Sequence, residues 1–317
     1  MQLRSLGTTG LKVSDLGLGT WTWARETDEH EARDQLYAYL DAGGNLIDTA
    51  AVYGSGASEE LLGLLLKEVG RREDLVIATK AGVTFRDGDR SQRELDTSRK
   101  AILETLDASL KRLQLDHIDL WQMHVWSDNA PIEETLAAMD DAIRSGRVMY
   151  AGVSNYNGWQ TAQAATLQSA LGRTPLASTQ VQYSLLDRRV EESVLPAAAA
   201  TGLGVLAWSP LASGALTGKY RTGIPNDSRG ATGEYGSRIE AYLDDHGRGV
   251  VEAVCRAADG LEWTPTEVAL AWVRDRPGVT APLLGARTAA QLKAALTVAD
   301  KTLPPELVAA LDDVSAE

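Results

Sequence analysis

The chain has a single cysteine, Cys255, among its 317 residues, and it lacks any long apolar run. One thiol excludes a disulfide within the chain and a zinc site built from several cysteines. No apolar stretch approaches the ~18 residues that a membrane helix needs, and residues 1–10 carry no apolar core of the signal-peptide kind. We therefore expect a soluble, cytoplasmic protein.

Basic residues are also in short supply, because 31 Lys and Arg stand against 44 Asp and Glu and leave a formal net charge of −13. Nucleic acids and anionic membranes both select proteins with basic patches. The acidic balance therefore argues against both as partners. An anionic cofactor would need locally placed arginines and lysines.

Short apolar runs alternate with longer helical patterns along the chain, which is typical of repeated βα units. With 44% hydrophobic residues, the length fits one (β/α)8 TIM barrel of ~250 residues plus insertions. We predict a single domain over residues 1–317, opened by a β-hairpin at residues 3–6 and 11–15. The eight predicted barrel strands are residues 16–19, 45–48, 75–79, 118–123, 148–153, 178–181, 204–208 and 279–284.

Helix starts and one long loop can also be located. Asp28, Ser58 and Thr97 are candidate N-caps of the first three helices, because their side-chain oxygens can accept from helix amides. Residues 211–237 form a long irregular, Gly-rich stretch after the seventh predicted strand. A loop of that length in a compact domain is usually functional or disordered.

Four titratable residues, Asp48, Tyr53, Lys80 and His124, lie at or just after the ends of predicted strands. In a TIM barrel these ends meet at one catalytic mouth. A lysine ~4 Å from a phenol is worth roughly 4 kcal/mol at a dielectric of ~20, or about 3 pKa units, so we expect the Tyr53 pKa near physiological pH. Asp48 would hold Lys80 charged, and His124 would direct a carbonyl oxygen toward the phenol.

This set suits proton delivery to an oxygen while a nicotinamide reduces the carbon, since no side chain supplies a hydride. Taken singly, each residue also has an ordinary role: an Asp in a turn, a Tyr in packing, a Lys in solvent.

The local sequences around these residues resemble the signatures of the aldo-keto reductase family over nearly the whole chain. The segment from Trp208 to Gly214, with Lys219-Tyr220, is most similar to the bacterial branch that also includes the β-subunits of voltage-gated potassium channels. The matching segments are Leu46-Ile47-Asp48-Thr49-Ala50-Ala51-Val52-Tyr53-Gly54, Ser58-Glu59-Glu60-Leu61-Leu62-Gly63, Val76-Ile77-Ala78-Thr79-Lys80, Asp119-Leu120-Trp121-Gln122-Met123-His124, Gly152-Val153-Ser154-Asn155-Tyr156 and Gln180-Val181-Gln182-Tyr183.

The resemblance implies NADPH bound in extended form without a Rossmann fold, and the chain has no Gly-x-Gly-x-x-Gly between a strand and a helix. It implies that Tyr53 is the general acid, tuned by Lys80 and Asp48, and that His124 orients the carbonyl. Ser154, Asn155 and Gln180 would bind the nicotinamide carboxamide, on whose ring Trp208 would stack. The implied cofactor-binding residues are Gly19, Thr20, Asp48, Ser154, Asn155, Gln180, Trp208, Ser209, Pro210, Leu211, Ser213, Gly214, Lys219, Arg229, Gly285, Arg287 and Gln291.

Cations for the cofactor phosphates cluster late in the chain, where TIM barrels commonly bind phosphate. Lys219 and Arg229 flank the irregular stretch, which we expect to fold over the pyrophosphate. Arg287 follows the eighth predicted strand and could fork onto a 2′-phosphate, which favours NADPH over NADH. Ala294-Ala295 stand where relatives usually carry Glu-Asn, so the strictness of this preference stays open.

The sequence indicates less about the substrate than about the reaction. Trp21, Trp23 and Trp126, with Tyr53 and His124, suggest a flat apolar pocket for an aldehyde or ketone. No residue near the mouth reads as a clamp for a substrate carboxylate or phosphate, and the remaining histidines have no metal-ligand spacing.

Two other functions remain open. One is an NADPH-binding regulatory protein with slow turnover, and the other is a Schiff-base aldolase that uses Lys80. The intact cofactor-loop motifs favour the reductase. The sequence does not imply an oligomeric partner.

Overall fold

A computed structural model describes residues 1–85, 92–226, 228–231 and 236–316, without the side chains of Arg229 and Arg238. Its centre is a closed barrel of parallel strands, in which β3 and the last strand pair to complete the ring. The predicted TIM barrel is confirmed, and the predicted strands differ from the observed ones only at their ends. The barrel strands are β3 (Gly17–Gly19), β4 (Leu46–Asp48), β5 (Val76–Ala81), β8 (Ile118–Met123), β9 (Val148–Ser154), β10 (Ser178–Gln182), β11 (Gly204–Trp208) and β12 (Val279–Leu284).

Two antiparallel hairpins flank the barrel. The predicted hairpin, β1 (Leu3–Ser5) and β2 (Lys12–Ser14), is confirmed and lies against the barrel floor. At Gly7, whose φ is +59°, an added Cβ would lie 2.3 Å from the Gly202 carbonyl oxygen, so the close approach requires glycine. A second hairpin, β6 (Val83–Phe85) and β7 (Arg93–Leu95), was not predicted and follows β5 at the barrel mouth.

Helices surround the barrel and connect its strands. In the part of the chain that the structure describes, none is long and apolar enough to cross a membrane. Short 3-10 helices occupy Tyr53–Gly56, Arg72–Asp74, Ala212–Thr217, Arg229–Ala231 and Thr297–Asp300. The α-helices are α1 (Glu29–Asp41), α2 (Ala57–Val69), α3 (Arg99–Leu113), α4 (Ile132–Arg144), α5 (Gly158–Ala170), α6 (Val190–Thr201), α7 (Gly236–Ala241), α8 (Asp245–Leu261), α9 (Pro265–Arg274), α10 (Ala289–Leu296) and α11 (Pro305–Val314).

One of the three predicted N-caps is correct. The Asp28 side chain accepts from the Glu31 amide at the start of α1. Ser58 is wrong, because α2 begins one residue earlier and the buried Ser58 hydroxyl donates to the Thr20 carbonyl at 2.9 Å. Thr97 is also wrong, because the following residue, Ser98, caps α3.

The stretch at residues 211–237 is less irregular than predicted. Its first part is the 3-10 helix Ala212–Thr217, a second short turn covers Arg229–Ala231, and α7 begins at Gly236. Positions 227 and 232–235 lie outside the described residues.

The barrel interior is apolar at its floor and polar at its mouth. Leu46, Val76 and Leu120 form one buried cluster with Leu6 and Val13 of the hairpin, which closes the floor. Side chains two apart on a strand share a face, so residues nearer the strand ends point into the same interior one layer higher. The fold therefore gathers the polar ends of β4, β5 and β8 at a single opening.

Gly63 sets the spacing of α2 and α3. A Cβ there would lie 2.6 Å from the Arg112 carbonyl oxygen and 2.7 Å from that of Leu113. We expect Gly63→Ala to lower the free energy of unfolding by about 1–3 kcal/mol through overpacking. The control is Gly249→Ala in α8, where an added Cβ meets nothing within 4 Å, and which should stabilise by roughly 1 kcal/mol. Urea unfolding of both variants checks this, and equal effects would contradict the close-approach argument.

Candidate active site

Lys80 occupies the centre of the polar mouth. Its ammonium donates to Asp48 Oδ1 at 2.6 Å, to the Thr49 carbonyl at 2.8 Å and to the Tyr53 hydroxyl at 3.4 Å. Lys80 and Asp48 are almost completely buried, at 1% and 2% exposure. The structure thus brings three of the four predicted catalytic side chains into direct contact.

Strand register and a tight turn produce this arrangement. Asp48 pairs with Ala78 of β5, so Lys80 lies two residues farther along on the same inner face. After β4 the chain reverses through Gly54 and Ser55, both with left-handed φ near +57°. In the turn before them the Tyr53 amide donates to the Ala50 carbonyl at 3.0 Å, and the centre of the Tyr53 ring lies 5.1 Å from the Lys80 ammonium.

The groups around Lys80 keep its side chain protonated. Burial lowers the pKa of its ammonium, but Asp48 and Tyr53 raise it by more, so the net pKa lies above the ordinary value. The second Asp48 oxygen accepts from Gln180 Nε2 at 2.8 Å. Because both carboxylate oxygens have donors, the buried ion pair is fully hydrogen-bonded.

The predicted fall in the Tyr53 pKa is wrong in direction. Burial raises the pKa of the phenol, the Lys80 charge lowers it, and the nearby Asp48 carboxylate raises it again, so the net pKa lies above the ordinary value. The expectation considered only the effect of the Lys80 ammonium on the Tyr53 pKa. It left out the desolvation of the phenol and the Asp48 carboxylate, which also interacts with Lys80. The phenol therefore keeps its proton at neutral pH.

His124 completes the set from the end of β8. Its backbone amide donates to the Ala81 carbonyl at 2.9 Å, and its ring centre lies 6.0 Å from that of Tyr53. Burial, then the charges of Lys80 and Arg93, lower the pKa of the imidazole well below its ordinary 6.5. His124 is therefore a neutral side chain beside a protonated phenol.

The ends of β9, β10 and β11 carry a connected polar group. Ser154 Oγ donates to the Gln180 carbonyl at 2.9 Å, and Asn155 Nδ2 donates to Ser154 Oγ and to the His124 carbonyl. Trp208 Nε1 in turn donates to Asn155 Oδ1 at 3.0 Å. Asn155 has a φ of +58°, a conformation that asparagine tolerates better than most residues. The residues predicted to bind the nicotinamide therefore form one cluster.

The predicted phosphate loop follows β11 directly. The Ser213 amide donates to Ser209 Oγ, and Ser213 and Gly214 both have left-handed φ. A Cβ at Gly214 would lie 3.0 Å from the Lys219 ammonium, so this exposed cation rests against the loop between Pro210 and Gly214. Small residues with a cation above them fit a phosphate.

A second cation lies beside the end of β12. Gly285 is exposed, Arg287 is half-buried, and Gln291 Oε1 accepts from the Arg287 amide at 3.0 Å. The side chain of Arg229 lies outside the described residues. The amides, the Trp208 ring and the cations run along the ends of β9 to β12, which fits an extended dinucleotide with anionic phosphates.

Gly19 and Thr20 have a supporting role next to Asp48. Gly19 pairs with Asp48 across β3 and β4, and the Thr20 amide donates to the Asp48 carbonyl at 2.9 Å. The Thr20 side chain is fully buried.

The three tryptophans assigned to the substrate pocket lie in different surroundings. Trp21 meets the Tyr53 ring edge-on at 4.8 Å, and Trp126 lies at the mouth against Tyr156. Trp23 is wrong as a pocket residue, because it is fully buried and its indole N–H donates to Gln35 Oε1. The Trp23 ring packs in the core with Ala32 and Leu36 of α1.

Sequence reasoning missed the apolar wall beside Tyr53. Val52, Val83 and Phe85 pack there with Trp21 and Tyr53. The sequence did carry a signal, because an Asp-Gly pair between two alternating runs predicts a hairpin. Among the described residues, no group of three His, Cys, Asp or Glu side chains could hold a metal ion.

Comparisons with known proteins find similarity along the whole barrel. The family model described as "Aldo/keto reductase family" matches residues 15–316. The chain is 37% identical over 322 residues to an uncharacterized oxidoreductase, YrpG, of Bacillus subtilis (strain 168), covering 99% of this chain and 96% of that one. It is 36% identical over 327 residues to a probable voltage-gated potassium channel subunit beta of Oryza sativa subsp. japonica (99% and 96%). A protein of the same description from Arabidopsis thaliana is 37% identical over 304 residues (95% and 92%).

The burial of the Lys80–Asp48 pair predicts how removing one or both charges changes the free energy of unfolding. Removing one charge leaves the other uncompensated, so Asp48→Asn should lower the free energy of unfolding by about 3–5 kcal/mol. The double variant Asp48→Asn, Lys80→Met should be more stable than Asp48→Asn alone, because no charge then stays buried. Denaturant unfolding of the two single variants and the double variant measures the coupling. Simply additive losses would contradict it.

Proposed function

The chain belongs to the aldo/keto reductase family and is an oxidoreductase, and we propose that it reduces an aldehyde or ketone to an alcohol with NADPH. The reaction would be reversible. The observation that carries the proposal is the Lys80 ammonium, which contacts the Asp48 carboxylate on one side and the Tyr53 hydroxyl on the other.

Tyr53 is the proposed general acid. Its raised pKa keeps the phenol protonated until negative charge develops on the substrate oxygen. As the proton leaves, phenolate charge forms beside the Lys80 ammonium, and opposite charges ~4 Å apart gain roughly 4 kcal/mol at a dielectric near 20. Lys80 therefore favours the transition state more than the resting phenol, which is the condition for catalysis.

His124 orients the carbonyl in this proposal. A neutral imidazole can donate one hydrogen bond to the substrate oxygen without carrying a charge that competes with Lys80. The lowered pKa of His124 keeps it in this neutral form. Its ring, set near the phenol, would place the oxygen within reach of the Tyr53 proton.

The cofactor would lie along the ends of β9 to β12. When bound, the reduced nicotinamide supplies the hydride that no side chain can provide. Ser154, Asn155 and Gln180 would hold its carboxamide, and the Trp208 ring would stack on it. Lys219 would contact the pyrophosphate and Arg287 the 2′-phosphate, which selects NADPH.

A Schiff-base aldolase fits the site less well. An amine nucleophile must be neutral, whereas Lys80 is buried, has a raised pKa and already donates to three oxygen atoms. A regulatory protein with slow turnover is the second candidate, because two relatives are described as potassium channel β-subunits. Bound NADPH that is not consumed with any aldehyde of a broad panel would favour it.

Tyr53→Phe tests the acid. The ring is kept and the proton is lost, so the rate of NADPH-dependent aldehyde reduction should fall by about 10² to 10⁴, while NADPH affinity stays near that of the parent. Absorbance of NADPH measures the rate and fluorescence titration the affinity. The matched control is Tyr37→Phe on the exposed face of α1, which should retain full activity. A Tyr53→Phe variant as fast as the parent would remove Tyr53 from this role.

Arg287→Ala tests the cofactor preference. Only NADPH carries the 2′-phosphate, and a charge-assisted hydrogen bond is worth about 1.5 to 3 kcal/mol, so NADPH should bind ten- to a hundredfold more weakly while NADH changes little. Fluorescence titration with both cofactors measures this, with Arg256→Ala on the surface of α8 as the control. Equal losses for the two cofactors would show that Arg287 does not contact this phosphate, and Lys219 or Arg229 would be tested next.

A further inference from the structure

Glu59 is a fully buried carboxylate that the proposed reaction does not use. It lies in the first turn of α2, three residues after Gly56. Its Oε1 atom accepts from the Thr79 hydroxyl at 2.5 Å, and its Oε2 atom accepts from Arg112 Nε at 2.7 Å. A buried charge is costly unless it is paired and hydrogen-bonded, and Glu59 meets both conditions.

The two partners of Glu59 belong to two further elements of the fold. Thr79 precedes Lys80 on β5, so its side chain points outward to α2 while that of Lys80 points into the barrel. Arg112 lies in the last turn of α3, and its Nη2 atom also donates to Ser109 Oγ at 3.3 Å. Glu59 therefore joins α2 and α3 to the strand that carries Lys80.

Arg112 also packs against the turn that carries Tyr53. This turn is the 3-10 helix Tyr53–Gly56, and α2 begins directly after it. Gly56 has a left-handed φ of +99°, and a Cβ there would lie 2.8 Å from Arg112 Cδ and 2.9 Å from Arg112 Nε. The side chain that pairs with Glu59 thus lies against the backbone at the end of the Tyr53 turn.

The start of the same turn is held by the backbone of β5. The Ala51 amide donates to the Lys80 carbonyl at 3.2 Å, two residues before Tyr53. Gly54 and Ser55, with their left-handed φ, lie between this contact and Gly56. The position of the phenol, 3.4 Å from the Lys80 ammonium, therefore depends on how both ends of the turn are held.

We propose that Glu59 is a positioning residue of the reductase: its contacts with Thr79 and Arg112 hold the Tyr53 turn against β5 and so set the distance from the phenol to the Lys80 ammonium. This inference rests on the proposed function and adds to it a residue that acts through others. The attraction between an ammonium and a forming phenolate weakens as they separate. A misplacement of ~1 Å in a catalytic group can cost up to about a hundredfold in rate.

Glu59→Gln tests the proposal, because it keeps the size of the side chain and removes its charge. For the full-length protein with NADPH and para-nitrobenzaldehyde, we expect kcat to fall about tenfold, while KM and the NADPH affinity stay near the parental values. The control is Glu60→Gln, which changes the neighbouring exposed carboxylate and should leave kcat unchanged. A parental kcat in Glu59→Gln would overturn the proposal.

The pH dependence of the reverse reaction separates positioning from a general structural defect. Tyr53 must be a phenolate to accept the proton of para-nitrobenzyl alcohol, so the oxidation rate rises with pH. Lys80 favours the phenolate, so a longer distance between them should move the midpoint of the profile to higher pH, by roughly half a pH unit for each ~1 Å. The other titratable neighbours, Asp48 and His124, are unchanged in Glu59→Gln. A lower rate with an unmoved midpoint would show a structural role alone.

A matched pair of variants at Thr79 tests the link to β5. Thr79→Val keeps the shape of the side chain and removes the hydroxyl that donates to Glu59, so it should move the midpoint in the same direction as Glu59→Gln. Thr79→Ser keeps the hydroxyl and should retain the parental midpoint. Identical profiles for the two Thr79 variants would contradict the proposed link.

A measurement without turnover separates this inference from the proposed function. In protein labelled with ¹³C at the tyrosine Cζ, the Tyr53 signal is assigned by its loss in Tyr53→Phe. It should shift in Glu59→Gln and in Thr79→Val, which changes no charge, and stay in place in Glu60→Gln. Such shifts would support the positioning role even if no aldehyde were reduced. An unshifted Tyr53 signal in Glu59→Gln would overturn it even if the protein were an active reductase.

Discussion

The buried contact between Lys80 and Asp48 is the interaction on which the rest of the site depends. Two charges out of water are tolerated only when they are paired and fully hydrogen-bonded. Here Gln180 and the Thr49 carbonyl supply the remaining partners. The residues proposed to bind the cofactor are therefore joined to the proposed catalytic ones through the hydrogen bond from Gln180 to Asp48, so a substitution of Gln180 on β10 would remove a partner of Asp48 on β4.

The site carries little net charge at rest, and its electrostatics favour the charge that the proposed reaction would create. The phenol is protonated and the imidazole is neutral, because burial disfavours ionisation of both. The ammonium beside them is compensated by its carboxylate. In the proposed reaction, a site that is nearly neutral beforehand and holds a fixed cation where anionic charge would form would need little reorganisation during the chemical step.

Much of the barrel could be predicted from the sequence, because its strands are short apolar runs and their polar ends are titratable residues. The predictions that failed concern properties that depend on interatomic distances and on burial. The Tyr53 pKa depends on desolvation and on a carboxylate that competes for Lys80, and neither has a sequence signature. Trp23 follows Trp21 by two residues, yet only the turn decides which ring faces the mouth. Ser58 and Thr97 have capping side chains, but the Ser58 hydroxyl donates to the Thr20 carbonyl and the Thr97 hydroxyl to Asn129 Oδ1.

The hairpin at the start of the chain closes one end of the barrel, so the barrel is open only at the mouth. Leu6 and Val13 seal the interior from below, so molecules cannot pass through the strand cylinder. The cofactor and the carbonyl substrate of the proposed reaction would then both have to enter and leave through the mouth, so each would limit the opening left for the other.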